Sequence, residues 1–390
     1  MKSYIVKQKD LDSRMLSRSG GIFAAISDQV LAQGGVIYGA GMDKNFNVVH
    51  KRAVNATERD ELRGSKYVQS DMHNAYRLAC EDLKAGRLVL FTGTPCQVDG
   101  IKALCPKGCE EHLVCMDIVC HGVPSPRVWN DYKAYVERKY HGKIEKIDFR
   151  NKERFGWSDH WETVTINGKE HDSQVYMKMF YEHTFLREAC YVCPYKNLQR
   201  VSDISIADAW GVEAANPEFD DNRGVSLVLI NTPKGEKWFL DSLQECDFKE
   251  CDLEKYMQEP LRRPFKKPDN TENVWKEYNE VSFEEFVKNH YKEPFLSIVK
   301  RSLKRKIKDM IPKEFWNRLR RWRYYMEEKR LPDLCTKKDT CCGCSACATI
   351  CPVCAISMCP DEKGFLYPLV NSGKCIRCYK CEQICPFKKR

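Results

Sequence analysis

The chain has no run of 18 apolar residues, so it has no segment suited to crossing a bilayer as a helix. Its opening stretch, Met1 to Arg14, is polar and lacks the apolar centre of a secretory leader. Export is therefore not expected, and a cytoplasmic location is. It also lacks a G-x-G-x-x-G run, which excludes the Rossmann dinucleotide fingerprint. It does not lack apolar residues: 43% are hydrophobic against 31% charged, too apolar a balance for a disordered chain. A length of 390 residues suggests two or three domains.

What it has in excess is cysteine, 22 in all. Without an export signal, that number points to metal ligands or redox chemistry rather than disulfides. The distribution is uneven: twelve cysteines lie in Leu331–Arg390 and ten in the first 330 residues. Charge is uneven too. Lys300–Arg330 holds 13 Lys or Arg against 4 Asp or Glu, a surplus equal to the net charge of +9 for the whole chain. Composition thus divides the chain into a front part (1–290), a basic connector (291–330) and a cysteine-dense tail (331–390).

In the tail, Cys341, Cys344, Cys347 and Cys351, closed by Pro352, follow the spacing C-x2-C-x2-C-x3-C-P, and Cys375, Cys378, Cys381 and Cys385, closed by Pro386, repeat it. This is the run of bacterial dicluster ferredoxins, in which the fourth cysteine of each run serves the other cluster. One 4Fe-4S cluster is expected on Cys341, Cys344, Cys347 and Cys385. The second is expected on Cys375, Cys378, Cys381 and Cys351. Structural zinc, bound through paired CxxC or Cys/His ligands, fits two proline-closed runs poorly. Sixty residues make a small core, so the clusters are expected to hold this domain together. Cys335, Cys342, Cys354 and Cys359 are read as ordinary thiols.

The front part alternates helices and strands. Helices are expected at Gly21–Gln33, Asp71–Ala85 and Lys234–Leu243. Strands are expected at Val36–Gly41, Phe46–Arg52, Arg87–Thr92, His112–Val119, Ile144–Arg150, Trp161–Ile166, Asp203–Ala207 and Val225–Asn231. This order argues for a mixed-sheet α/β or α+β domain, with a small ferredoxin-like domain appended. Two strands run into turns bearing Cys96 and Cys120, and a CxxCP loop carries Cys190 and Cys193. Spacing alone leaves these four open between a third metal site and buried thiols. A Cys120–His121 nucleophile is not expected, since adjacent residues rarely orient their side chains for that.

The segments SGGIFAAI, FTGTPCQVDG, VCHGVPSPRVW, IDFRNKERFGW, CYVCPYK and VSDISIADAWG, in order from Ser19, resemble the coenzyme F-420 hydrogenase/dehydrogenase beta-subunit family. The resemblance implies an iron–sulfur flavoprotein oxidoreductase, with FAD beside a 4Fe-4S cluster on Cys96, Cys120, Cys190 and Cys193. Cys105 and Cys109 are possible substitutes as ligands, whereas Cys80, Cys115, Cys246 and Cys251 are read as structural. A flavin also meets a physical need, since clusters move single electrons and many organic reductions move a pair. Candidate flavin contacts are Ser19, Gly20 and Gly21 at a helix start, Thr92, Gly93 and Thr94 after a strand, and the charged group Arg150, Asn151, Lys152. Taken singly, each also reads as a helix cap, a tight turn or a solvated cluster. Two departures stand out: related bacterial chains carry the ferredoxin segment first, and no deazaflavin pocket can be matched residue by residue.

The connector, Ser297 to Met326, reads as basic helix broken near Pro312, with apolar stripes Val299–Leu303–Ile307–Ile311 and Phe315–Leu319–Trp322. It suits packing on the front domain, peripheral contact with an anionic membrane, or steering of an acidic donor. No nucleic-acid module surrounds it. The expected function is electron transfer between a ferredoxin-type donor or partner subunit and a small organic substrate or deazaflavin-like coenzyme. The alternative is an electron-transfer subunit, with no substrate of its own, that wires a partner enzyme. The direction of flow, the substrate and any self-association are left open.

Overall fold

The computed structural model describes residues 1–291, 331–335 and 337–388. The expected connector helices lie outside the described residues. No helix among the described residues is long and apolar enough to cross a membrane.

The front part is built on one eight-stranded sheet. In chain order its strands are β1 (Lys2–Gln8), β2 (Val36–Met42), β3 (Val48–Ala53), β4 (Val89–Gly93) and β5 (Leu113–Ile118). A three-stranded antiparallel sheet interrupts the order: β6 (Ile144–Asp148), β7 (Glu162–Ile166) and β8 (Lys169–Ser173). Then come β9 (Ile204–Asp208), β10 (Ser226–Ile230) and β11 (Cys246–Glu250). Across the large sheet the order is β11-β1-β10-β9-β5-β4-β2-β3. The centre is parallel (β2–β4, β4–β5, β5–β9) and both flanks are antiparallel. This is the mixed α/β architecture the sequence suggested. Strand β10, Ser-Leu-Val-Leu-Ile, is buried along its whole length. A continuous apolar run of this kind marks a strand covered on both faces.

Local chemistry fixes the helices that matter to the site. Thr94 and Gln97 form a reciprocal capping box at the start of helix Pro95–Leu104, with Pro95 at the first turn. Ser125 caps helix Pro126–Lys139 by accepting from the Val128 N–H. That helix buries Val128, Trp129, Tyr132 and Val136 against the three-stranded sheet. The expected helices are found at Ile22–Ala32, Ala75–Lys84 and Pro233–Asp241.

The tail pairs β12 (Ile356–Pro360) with β13 (Leu366–Val370) and places one short helix in each cysteine run, Ala346–Ile350 and Lys380–Ile384. It does not stand apart from the front part. Cys344, Ala346 and Ile384 join the buried cluster that contains Tyr76, Phe91, Val98 and Ile101. Polar contacts add to this: Gln69 Nε2 donates to Cys342 O at 3.2 Å, and Arg127 Nη1 donates to Glu362 O at 2.9 Å.

Candidate redox site

The parallel strands β4, β5 and β9 end on one side of the sheet, and both candidate sites lie there. Ligand sites of open α/β sheets occupy this position because the strand ends leave a crevice. After β4 the chain turns through Thr94 into Cys96, and after β5 it reaches Cys120.

Cys96, Cys120, Cys190 and Cys193 wall a single pocket. Segments far apart in sequence therefore bring all four predicted thiols together. A fifth thiol, Cys342, enters the same pocket from the tail. Its spacing marks Cys342 as an ordinary thiol, and its place here is the main addition the structure makes. Burial pushes Cys120 up to about 12, with Cys190 adding like charge. Burial likewise pushes Cys190 up to about 12, with Cys193 adding to it, and Cys193 up to about 12, with Cys96 adding to it. Cys96 is instead lowered, chiefly by a hydrogen bond with Cys342, which outweighs burial, and by Thr94, whose Oγ1 lies 3.2 Å from its sulfur. Four thiolates cannot share this buried space without a cationic centre among them. Soft thiolate donors in such a set suit an iron–sulfur core.

The tail cysteines lie in two groups. Cys351, Cys375, Cys378 and Cys381 wall one small pocket. Cys347 is raised by burial and by the nearness of Cys344, Cys341 and Cys385. So the fourth cysteine of each run sits with the first three of the other. Among the described residues no three His, Cys, Asp or Glu side chains are close enough to hold a single ion. A four-iron cubane places its sulfur ligands farther apart than one ion does.

A large cleft of about 1670 Å³, counting its mouth, adjoins the front cysteine pocket. The two share Thr94, Cys120, Gly122 and Val123. Of the predicted flavin contacts, Ser19, Gly21, Thr92, Gly93, Thr94 and Arg150 line the cleft. Gly20, Asn151 and Lys152 do not. Gly20 donates its N–H to Ser226 Oγ, and a Cβ there would collide with Val6 O. Asn151 caps the short helix Lys152–Phe155 and reaches Thr163 Oγ1 at 3.1 Å. Lys152 Nζ is buried and donates to Arg14 O at 2.7 Å and Arg223 O at 2.8 Å, a strap between loops. Arg150 is also heavily engaged, donating to Asp208 Oδ2 at 2.7 Å and Trp157 O at 2.9 Å.

Sequence reasoning missed the cationic lining of the cleft. Arg18, Arg63 and Lys66 all line it. Asp148 and Asp60 meet the two arginine charges in part. Nε of Arg18 is nonetheless buried without a hydrogen-bond acceptor, whereas Nε of Arg63 lies 2.9 Å from Asp60 Oδ1. Lys66 is lowered to about 7, by burial first and then by Arg18 and Lys51. Such a group favours a bound anion. The signal was present in Arg63-Gly64-Ser65-Lys66, a small-residue turn between two cations, and in Arg18 beside Ser19. Aromatic residues line the cleft as well: Trp210, His160, Phe180 and Tyr181, with His160 stacked on Tyr181 at 5.1 Å.

No curated protein matches the chain. It superposes on a chain of a solved structure described as the xenon-derivatized F420-reducing [NiFe] hydrogenase complex from Methanosarcina barkeri. The TM-score is 0.48 at 17% identity, covering 72% of this chain and 93% of that one. Residues 86–255, which include Cys96, Cys120, Cys190 and Cys193, match the family described as the C terminus of the coenzyme F420 hydrogenase/dehydrogenase beta subunit.

Proposed function

We propose that the chain is an iron–sulfur flavoprotein oxidoreductase in which electrons pass between the tail and the cleft. The observation that carries this reading is continuity. The front cysteine pocket is lined in part by Cys342 of the tail and shares Cys120 and Thr94 with the cleft. In this reading the tail (331–390) is a ferredoxin-type domain with two 4Fe-4S clusters, and Cys96, Cys120, Cys190 and Cys193 hold a third. The donor is a ferredoxin or a partner subunit, and the flow can run in either direction.

The cleft suits FAD by its lining, which combines cationic and aromatic side chains. Arg18, Arg63 and Lys66 would take the diphosphate, with Ser19 and the turn at Gly64-Ser65 supplying further donors. Trp210, Tyr181 and His160 offer flat surfaces to a ring system. A bound flavin would exchange single electrons for pairs, which clusters alone do not do. The protein's own residues bind, orient and exclude water. Arg150, fixed by Asp208, keeps a positive charge at the wall, and Phe180 keeps the neighbouring surface dry. An open cleft favours a small organic substrate over the alternative of a purely wiring subunit.

The test is anaerobic purification with iron, acid-labile sulfide and flavin counted per chain. Three clusters correspond to about 12 Fe, with about one flavin. A result of about 8 Fe without flavin would leave only the tail loaded and end the proposal for the front part.

A further inference from the structure

Arg187 belongs to the front part but its guanidinium is enclosed by the tail. The residue is fully buried. Nε donates to Cys341 O at 2.7 Å, Nη2 donates to Leu366 O at 2.9 Å, and Nη2 lies 3.6 Å from Cys341 Sγ. Nη1 donates to Gln69 Oε1 at 3.0 Å. The guanidinium lies over the Tyr367 ring at 4.1 Å. The first cysteine loop of the tail is shaped around it. Gly343 has a φ of +67°, and a Cβ there would stand 2.7 Å from Nη1.

The same residue walls the front cysteine pocket. Its carbonyl accepts from the Cys190 N–H at 2.8 Å. Arg187 thus touches a predicted ligand of the first tail cluster at one end and a predicted ligand of the front cluster at the other. Among the described residues no Asp or Glu forms an ion pair with it. A buried arginine stays charged, and a buried charge without a counter-charge is strongly destabilising. The acidic groups that act on it are Cys341, Tyr367, Cys342 and Cys190.

We infer that Arg187 is a positioning residue for electron transfer, the shared counter-charge between the front cluster and the tail cluster on Cys341, Cys344, Cys347 and Cys385. The inference rests on the reading that both sets hold 4Fe-4S clusters. One electron passing between two such clusters would oxidise one and reduce the other, and Arg187, at Cys341 Sγ and in the wall of the front pocket, would lie beside both. A fixed cation beside both, hydrogen-bonded at a ligand sulfur, stabilises the reduced form of each and raises both potentials. It also sets the register of the tail on the front part, so the two centres keep one separation.

The experiment uses the full chain, purified anaerobically, as wild type, Arg187→Gln and Arg187→Lys. Iron and sulfide are counted, and each cluster is followed by redox titration with electron paramagnetic resonance. Arg187→Gln is expected to keep its iron while two of three clusters become harder to reduce. A tenfold change in each one-electron equilibrium corresponds to 59 mV. The cluster on Cys351, Cys375, Cys378 and Cys381 should not shift. Arg187→Lys, which keeps the charge but not the fork, should recover most of the shift. An Arg187→Gln protein with full iron and wild-type potentials overturns the inference. If Arg187→Gln loses iron, Arg187→Lys decides: near-wild-type potentials support the counter-charge role, and potentials as low as in a charge-free site overturn it. A wild-type protein without the front cluster would instead show the underlying reading to be wrong.

Discussion

Arg200 Nη2 donates to Asp117 Oδ1 at 2.7 Å, with the two side chains only 2% and 0% exposed. The pair joins strand β5 to the segment that follows the CxxCP loop. Arg200 also holds Ser205 Oγ at 3.0 Å and Tyr195 O at 3.1 Å. Removing one partner leaves the other buried and uncompensated. Arg200→Met is expected to cost about 3–5 kcal/mol in urea unfolding, whereas Arg200→Met combined with Asp117→Leu should recover most of that loss. A double variant no more stable than the single one would show that the ion pair is not the source of the cost.

In the proposed assignment the five thiols of the front pocket divide into four ligands and one neighbour, Cys342. Cys342 senses Cys344 and Cys96, whereas Cys120, Cys190 and Cys193 sense one another and Cys96. Cys193→Ala is therefore expected to lower iron from about 12 to about 8 per chain, and Cys342→Ala to leave it near 12. Iron lost on Cys342→Ala but kept on Cys193→Ala would reverse the assignment.

In the cleft, Arg63→Gln and Lys66→Met each alter the group proposed to take the flavin diphosphate. Each charge-assisted contact is worth about 1.5–3 kcal/mol, so flavin retention on gel filtration should weaken by roughly tenfold or more per substitution. Circular dichroism should change little. Retention equal to wild type in both variants would remove this group from the cofactor site.

His50 is buried, with Nδ1 2.9 Å from Ser70 Oγ and Nε2 3.0 Å from Thr92 O. Burial lowers it to about 4, against 6.5 for a free imidazole. The unfolded chain takes up its proton below pH 6.5 and the folded chain does not, so stability is full above pH 6.5 and falls as pH drops towards 4. From pH 7 to pH 5 this one group should remove about 2 kcal/mol. His50→Gln should flatten the urea-midpoint profile over that interval by the same amount. An unchanged slope would mean that His50 titrates normally in the fold.

Much of this molecule can be read in one dimension because its strongest signals are local. The C-x2-C-x2-C-x3-C-P runs, the apolar strands and the caps depend on neighbours a few residues away. Helix Ile22–Ala32 and strands β2, β4, β5, β9 and β10 accordingly lie close to their expected places. Strand β1, whose apolar Tyr4-Ile5-Val6 core is short and flanked by polar residues, and the edge strand β11, mostly exposed, escape such a reading, because tertiary pairing rather than local pattern holds them in the sheet.

Which tail thiols are candidate ligands, and that strands alternate with helices in the front part, follow from spacing along the chain alone. Which groups meet across long separations is set by tertiary packing. Packing places Cys342 beside Cys96, and Arg187 against Cys341. It gathers Arg18, Arg63 and Lys66 in the lining of the cleft, and turns Asn151 and Lys152 into internal ties. Such contacts arise from how sheet, loops and tail fit together, and pairings across a hundred residues or more leave no local periodicity from which they could be read.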